Sequence, residues 1–448
     1  MRDLDLQNMM QLFLTVVPVS FFEQWLRERG LPLRHTVYWP PLVVWMMIYQ
    51  RLNDKGTQAI AVAGLVRGGA RHLLAPCKRV RDDTVSPNTG GYSQARQNTP
   101  KQMVQDVAGH IAAQLQAELQ KDSPELPAPA FLLDGSTVQL QPEADLRRLY
   151  PPAPNQHGHS HWPVVEVVVL HDLRSGVALC PVWGPKYGPK AISEQALAEE
   201  AMKQLPPKAI VLGDRNFGIF ATAYKAHQRG HSIVFRLTKD RARPLASRLR
   251  AGTDQKVVWR ASAWDRQMHP EIPPDAVVAG RLLVFHLRGR KDPLLCLFTT
   301  LDLPTAQIVQ LYGCRWNIET DLRSLKQTIH LQRITAKSAD MMEKELLLAF
   351  SAYNLVRAVM FLAARQAGIS PRELSFSRVQ DFVMAFLPSL ATAESIAVRD
   401  HEFRRLLGYA ARCRLPKRQK RRSYPRTVWN PGYSFPWRKC EHTVRKTK

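Results

Sequence analysis

Phe131-Leu-Leu-Asp134-Gly135, Pro163-Val-Val-Glu-Val-Val-Val-Leu170, Gly176-Val-Ala-Leu-Cys-Pro-Val182 and Ala209-Ile-Val-Leu-Gly-Asp214 decide the fold class. Each is a short apolar or β-branched run bounded by turn residues, which is the pattern of a strand. Between the third and the fourth, Ser193 to Gln204 carries apolar residues at helical spacing. Three strands, a helix, a strand and further alternation make an α/β domain with a mixed sheet.

Working outward, the pattern changes again after Phe235-Arg-Leu-Thr238. Lys256-Val-Val-Trp259, Ala279-Gly-Arg-Leu-Leu-Val-Phe-His-Leu287 and Leu294-Leu-Cys-Leu-Phe298 follow, separated by polar links. They suggest a β-rich insertion over 241–300 that divides the core into 126–240 and 301–390. From Pro304 through Gln366 the pattern is helical. Before the core, residues 1–125 show helical spacing broken by Gly and Pro, as in Phe21 to Glu28, Thr57 to Val66 and Lys101 to Leu119. The loop from Arg67 to Gln97 sets Lys78, Arg79 and Arg81 beside the turn sequence Asn88-Thr-Gly-Gly-Tyr92. That suits a helical DNA-binding domain. It also suits a packing or dimerisation module with a solvated basic loop, because clustered cations do not by themselves require phosphate. Residues 391–448 form a basic C-terminal region.

Charge narrows the function. Against 38 Asp and Glu stand 63 Lys and Arg, a net +25 over 448 residues, which points to a polyanion and to nucleic acid ahead of a membrane surface. Residues 401–448 hold 15 Lys and Arg against Glu402 and Glu441, leaving +12 for the first 400. A hydrophobic share of 45% excludes a disordered or collagen-like chain. The six cysteines form no C-x-x-C pair, which suits a reducing cytoplasm and disfavours a disulfide scaffold or zinc ribbon. The apolar run Val37 to Tyr49 contains Pro40 and Pro41 and falls short of the roughly 20 residues that a membrane span needs. The stretch Met9 to Phe22 follows Asp3 and Asp5 rather than a basic start. Both read as buried helices, with no membrane partner.

Two aspartates close two of the strands: Asp134 follows Leu133, and Asp214 follows Gly213. Carboxylates at strand ends stand where α/β sheets bind ligands, although Asp134-Gly135 is also a good turn dipeptide. If the strands are neighbours, the carboxylates meet, and their repulsion calls for a cation. A third acid comes from a helix expected over Thr305 to Ile329. With Tyr312 at 0° and about 100° per residue, Arg315 falls near 300°, Lys326 near 320°, Glu319 near 340° and Arg323 near 20°. Leu311, Ile318, Leu322, Leu325 and Ile329 form an apolar stripe beside them. Asp321 falls near 180°, away from both, so Glu319 is preferred as the third acid. An exposed helix laced with ion pairs such as Arg315 with Glu319 is the plainer alternative.

Tyr312-x2-Arg315-x3-Glu319-x6-Lys326 resembles the Y-x2-R-x3-E-x6-K signature of bacterial insertion-sequence transposases of family four. Asp134-Gly-Ser-Thr-Val-Gln-Leu140 resembles that family's first-aspartate strand, and Gly213-Asp214-Arg215-Asn-Phe-Gly218 its second. Tyr92-Ser-Gln-Ala-Arg-Gln97 is a looser match to its N-terminal helical region. The resemblance implies a cut-and-paste transposase with a ribonuclease H-like D, D, E core. Asp134, Asp214 and Glu319 would be catalytic and would hold two Mg2+ ions, with Mn2+ able to substitute. Tyr312, Arg315 and Lys326 would hold the DNA backbone beside the scissile bond, and Arg323 joins them by its place on the same stripe. In similar enzymes a tryptophan of the β insertion stacks on a flipped base, which makes Trp259 and Trp264 DNA-binding candidates beside ordinary sheet packing.

The implied partners are double-stranded DNA, as terminal inverted repeats and target, and a second copy of the chain in the DNA complex. The implied location is the bacterial cytoplasm, at the nucleoid. A DNA-binding protein that has lost the chemistry, or a nuclease that hydrolyses without strand transfer, are the rival functions. His157, His159 and His161 have no carboxylate or cysteine at ligand spacing and read as a solvated turn or a segment near DNA. The run Lys417-Arg418-Gln-Lys420-Arg421-Arg422, followed by Tyr424, Trp429, Tyr433, Phe435 and Trp437, suits either backbone and base contacts or nonspecific attraction.

Overall fold

The prolines that interrupt the first apolar run begin a helix rather than end one. In the computed structural model, which describes residues 9–416 apart from 55, 71–72, 121–125, 157 and 288–293, Pro40 and Pro41 open α3. A proline's fixed φ suits the first helical turn, where no N–H partner is needed. The N-terminal helices are α1 (Met9–Val16), α2 (Val19–Glu28), α3 (Pro40–Leu52), α4 (Gln58–Val66), α5 (Lys78–Arg81), α6 (Gly90–Asn98) and α7 (Lys101–Gln120). Thr57 caps α4 by accepting from Ile60 N at 3.3 Å. The expected loop at 67–97 therefore contains two short helices, and Gly90-Gly91 starts α6 instead of making a turn. Tertiary anchoring overrides turn chemistry here. Arg96 is buried and donates to Glu345 at 2.6 Å, and the Tyr92 hydroxyl donates to Gln50 at 3.3 Å.

The rest runs β1 (Ala130–Gln139), α8 (Ala144–Leu149), β2 (Pro152–Asn155), β3 (Gly158–Asp172), β4 (Val182–Pro185), α9 (Glu194–Met202), β5 (Ile210–Gly213), α10 (Phe220–Gln228), β6 (Ser232–Leu237) and α11 (Lys239–Ala242). It continues with β7 (Asp254–Arg260), α12 (Ala263–Met268), β8 (Val277–His286), β9 (Leu294–Thr299), α13 (Thr305–Gly313), α14 (Trp316–Arg323), α15 (Ala339–Ala367), α16 (Phe376–Thr392) and α17 (Ile396–Arg412). One mixed sheet has the order β2-β3-β1-β5-β6-β9-β8-β7, with β4 also on β3. β1, β5 and β6 are parallel, and the other pairings are antiparallel.

The β-rich stretch 241–300 lies in the sheet of the core, since β9 pairs with β6 and carries β8 and β7 as a continuation of it. Two expectations are corrected. The strand expected from Gly176 becomes continuous only at Val182; before it, Ala178 makes an isolated bridge to His171 of β3, while the Asn354 side chain takes the Ala178 N–H and carbonyl at 2.8 Å on the other side. The helix expected over 305–329 is divided by a turn at Cys314 and Arg315 into α13 and α14, and it ends in a π-helical turn, Ser324–Thr328. Gly313 stands at the division, and glycine costs a helix about 1 kcal/mol relative to alanine.

Alternation along the strands assigns the two faces of the sheet. Phe131, Leu133, Val211, Ile233 and Phe235 pack against α9 and α10. Leu132, Leu212 and Val234 pack with Ile308, Leu311 and Ile318 of α13 and α14. Behind these lies α15. By length and apolar composition it could cross a membrane, yet it is packed in the interior against α3, α7, α16 and α17. Sheet and helices form one compact unit ending at Arg414. The basic run from Lys417 and its aromatic residues, and His157, lie outside the described residues.

Candidate active site

Leu133 pairs with Gly213 across the parallel strands β1 and β5, and Gly213 pairs with Phe235 of β6. One residue further on, Asp134, Asp214 and Arg236 form a row. Each is two positions past a residue that faces α13 and α14, so the row faces that side as well. Ile318 anchors α14 in the same apolar group, and Glu319 follows it. The row and the helix thus bring the three acids named from sequence to one place, and register adds Arg236, which the sequence pattern does not signal.

Electrostatics reports the convergence. Burial, and next to it the charges of Asp214 and Glu319, push the Asp134 carboxyl up to about 6, against the Gly135 N–H bond at 2.9 Å and Arg315. The Asp214 Oδ1 accepts from Asn216 N at 2.7 Å. Glu319 accepts from Arg315 Nη2 at 3.3 Å, so the i,i+4 pair coexists with the acid cluster. Arg323 is exposed on the same helix, and Lys326 lies half-buried in the π turn. Tyr312, at the end of α13, is 8% exposed; burial pushes its hydroxyl up to about 12, against the charges of Arg315 and Arg236 and with that of Asp214. Its hydroxyl therefore lies beside Arg315, Arg236 and Asp214, although the turn at Cys314 and Arg315 breaks the helix between it and Glu319.

Among the described residues, no group of three or more His, Cys, Asp or Glu is placed to hold a metal ion as it stands. The donor chemistry nevertheless suits a hard dication: all the candidate ligands are carboxylate oxygens, two of them raise the third, and a cation would relieve that repulsion. Glu319, 41% exposed in its side chain, is tied among the described residues to Arg315 alone.

Asp321 has a different task, in keeping with its opposite position on the helix. It is fully buried and accepts from Arg372 Nη1 at 2.7 Å on both oxygens and from Arg357 Nη2. Arg372 also donates to the carbonyls of Asp172 and Leu173, at 2.8 and 2.9 Å, and Arg357 donates to the Tyr353 hydroxyl at 2.8 Å. Burial pushes the His171 imidazole beside it down to about 4, so that ring is neutral at pH 7. The network pins α14, and Glu319 with it, to α15 and the end of β3.

Two carboxylates escaped the sequence reading. Glu194, the first residue of α9, comes from the opposite side of the sheet and takes a hydrogen bond from Asn216 Nδ2. Burial first, then the charges of Glu166, Asp134 and Asp214, push it up to about 7. Glu166 is buried on β3 and paired with Lys186. The cue in sequence is Gly135, whose lack of a side chain leaves room for another element beside Asp134.

The two tryptophans separate. Trp259 is 7% exposed and packs edge-on against Phe298 at 4.9 Å and Phe220 at 5.9 Å, as an ordinary member of the sheet core. Trp264 is 59% exposed on α12 and borders a cavity of about 320 Å³ shared with Phe220, Arg241, Val258 and Arg260. Arg241 holds the loop after Asp214, donating to Arg215 O at 2.7 Å and Gly218 O at 3.1 Å. Another exposed indole, Trp316, opens α14 with the Arg315 guanidinium 5.4 Å from its ring. Among the N-terminal helices, a groove of about 930 Å³ is lined by Arg34, His35, Lys78, Arg79, Gln94 and Asn98. His159 and His161 are exposed on β3.

The profile of a family described as "Transposase DDE domain" matches residues 125–355. The chain is also 28% identical over 282 residues to the transposase InsG for insertion sequence element IS4 of Escherichia coli (strain K12). The match covers 61% of this chain and 62% of that relative, so it spans less than two thirds of the relative's length.

Proposed function

The chain belongs to the transposase DDE domain family, and from that premise we propose that it is an insertion-sequence transposase that cuts DNA at its element's terminal inverted repeats and joins the ends to target DNA. The observation that carries the proposal is the row of Asp134 and Asp214 on adjacent parallel strands, faced by Glu319 on α14. The order β4-β3-β1-β5-β6 supports a ribonuclease H-like core, extended at one edge by β9, β8 and β7.

Asp134, Asp214 and Glu319 would hold two Mg2+ ions, for which Mn2+ can substitute. When bound, such ions activate the attacking hydroxyl and stabilise the leaving oxygen of an in-line displacement at phosphorus. The residues around them bind and orient. Arg315, Arg323 and Lys326 on α14 and its π turn, with Arg236 at the end of the row, are cations on the side where a phosphate must lie. Tyr312, beside Arg315 and Arg236, would join them at the DNA backbone. Trp264, with an open indole face and Arg260 beside it, would stack on an unpaired base near the cut, whereas Trp259 keeps a packing role. The basic groove among the N-terminal helices would contact the inverted repeat farther in, with two copies of the chain pairing the two ends in the bacterial cytoplasm.

A duplex carrying the element's end with a free 3′-hydroxyl tests the assignment. Wild-type protein should join it to a second duplex in Mg2+ or Mn2+. Changing Asp134, Asp214 or Glu319 to Ala should abolish cutting and joining while binding in Ca2+ persists. Cutting without joining would make the protein a nuclease, and binding with neither would make it a DNA-binding module. Normal cleavage by any of the three variants would remove that residue from the site.

A further inference from the structure

We propose that Glu194 and Asn216 form a clamp, reaching the site from the face of the sheet opposite Glu319, that positions Asp214 against Asp134. The inference rests on the carboxylate site proposed above and adds to it two residues that do not touch the DNA.

Asp214 is the first residue beyond β5, where the ladder ends, and its carbonyl accepts from Gly218 N at 3.2 Å. Its side chain is held by a short chain of hydrogen bonds. Asn216 N donates to Asp214 Oδ1 at 2.7 Å, and Asn216 Nδ2 donates to the Glu194 carboxylate. Gln195 Nε2 donates to the Asn216 side-chain oxygen at 2.8 Å and to its carbonyl at 3.2 Å. Both Glu194 and Gln195 belong to the first turn of α9, whose packing on the sheet through Leu197, Ala198 and Ala201 makes a rigid base.

The same carboxylate also seats against β1. Gly135 points to the α9 side, and a β-carbon there would lie 2.7 Å from Glu194 Cδ and 2.9 Å from its Cγ. Glycine is the residue that lets the carboxyl group rest on the backbone of the strand that carries Asp134. One side chain is therefore wedged against the first aspartate's strand and bonded to the second aspartate's loop, so it fixes the distance between them. Arg241 closes the far side of the loop through Arg215 O and Gly218 O. Groups that orient a ligating carboxylate typically matter by about 10–100-fold in metal affinity.

The test is direct Mn2+ binding by the full-length protein without DNA, read as free Mn2+ by electron paramagnetic resonance, with circular dichroism confirming the fold. Asn216→Ala and Glu194→Ala should each weaken Mn2+ binding by about tenfold or more. The double variant should be no worse than either single change, because both act through one chain of bonds. Cleavage by each single variant should recover when Mn2+ is raised. Glu194→Gln keeps an acceptor for Asn216 in the same space and should bind within about twofold of wild type, since the amide oxygen replaces the carboxylate oxygen in that bond. Wild-type affinity in Asn216→Ala and Glu194→Ala would overturn the clamp. A Glu194→Gln variant as weak as Glu194→Ala would overturn it too, because the charge would then matter and not the bond. If wild-type protein takes up no Mn2+, or if Asp214→Ala binds it as well as wild type does, the carboxylate site fails and the clamp falls with it. Loss in Asp214→Ala but not in Asn216→Ala refutes the clamp alone.

Discussion

Replacing Asp321 with Ala should leave the chain folded but loosened at one identifiable place. The change strands Arg357, 4% exposed, and Arg372, 14% exposed, whose guanidinium groups meet on that carboxylate. Removing one partner of a buried ion pair costs about 3–5 kcal/mol. Unfolding entropy near 2.1 cal/mol/K per residue gives a unit of roughly 400 residues about 0.85 kcal/mol/K, so Tm should fall by about 4–6 °C. Differential scanning calorimetry on full-length protein would read the shift. The same substitution in an Arg357→Met, Arg372→Met background should cost little, because no buried cation is then left behind. A Tm within about 1 °C of wild type, or the full cost persisting in that background, would refute the reasoning. Because Glu319 lies on the same helix two residues away, DNA cleavage by the single variant should fall more than its fraction folded explains.

Two other outcomes follow from the site. Trp259→Ala should destabilise the fold by about 3–5 kcal/mol, as large aromatic deletions in cores do. Trp264→Ala should change stability by less than about 0.5 kcal/mol, yet weaken end processing by the ~1–3 kcal/mol of a lost base stack. Comparing thermal melts with end-cleavage rates separates the two, and equal stability loss would contradict the packing described. The second concerns pH. The Asp134 carboxyl sits at about 6 in the fold, above its ordinary value near 3.9. Above pH 6 the buried charge is a cost to the fold, and that cost is relieved as pH falls from 6 toward 4, so this residue favours the folded state more at low pH. Cation binding has the opposite sign, since the ion must displace the proton. Mn2+ affinity should fall by roughly tenfold per unit below pH 6, and an affinity unchanged between pH 5 and 6 would show that Asp134 is not a ligand.

Much of the scaffold was legible because it rests on local patterns. The apolar runs at Phe131, Pro163 and Ala209 became β1, β3 and β5, and Ser193 caps α9 where the helical spacing began. Asp134, Asp214 and Glu319 stand on elements expected from periodicity, and their convergence needed only the guess that two strands are neighbours. What escaped depends on partners distant in sequence. Gly176 to Pro181 has strand composition, but it meets β3 only in the bridge of Ala178 to His171, and Asn354 takes the other side of the Ala178 backbone from across the fold. Gly90-Gly91 has turn composition, but Glu345 draws Arg96, and α6 with it, into the interior. The break between α13 and α14 was missed because a helical wheel assumes an unbroken phase. Glu194, Asn216 and Arg236 become visible only when register and layer order are known.

The sheet's two ends also bear on how copies of the chain can meet. At one end β2 carries Pro152 and Pro154, which cannot donate to an added strand, and β4 stops at Pro185. At the other, β7 presents Asp254, Lys256 and Arg260, charges that must be desolvated or matched before a neighbouring strand can dock. Growth of the sheet by strand addition is thus blocked chemically at both margins. If two copies pair on DNA as proposed, that contact would be made by helices, loops and the DNA itself rather than by joining sheets.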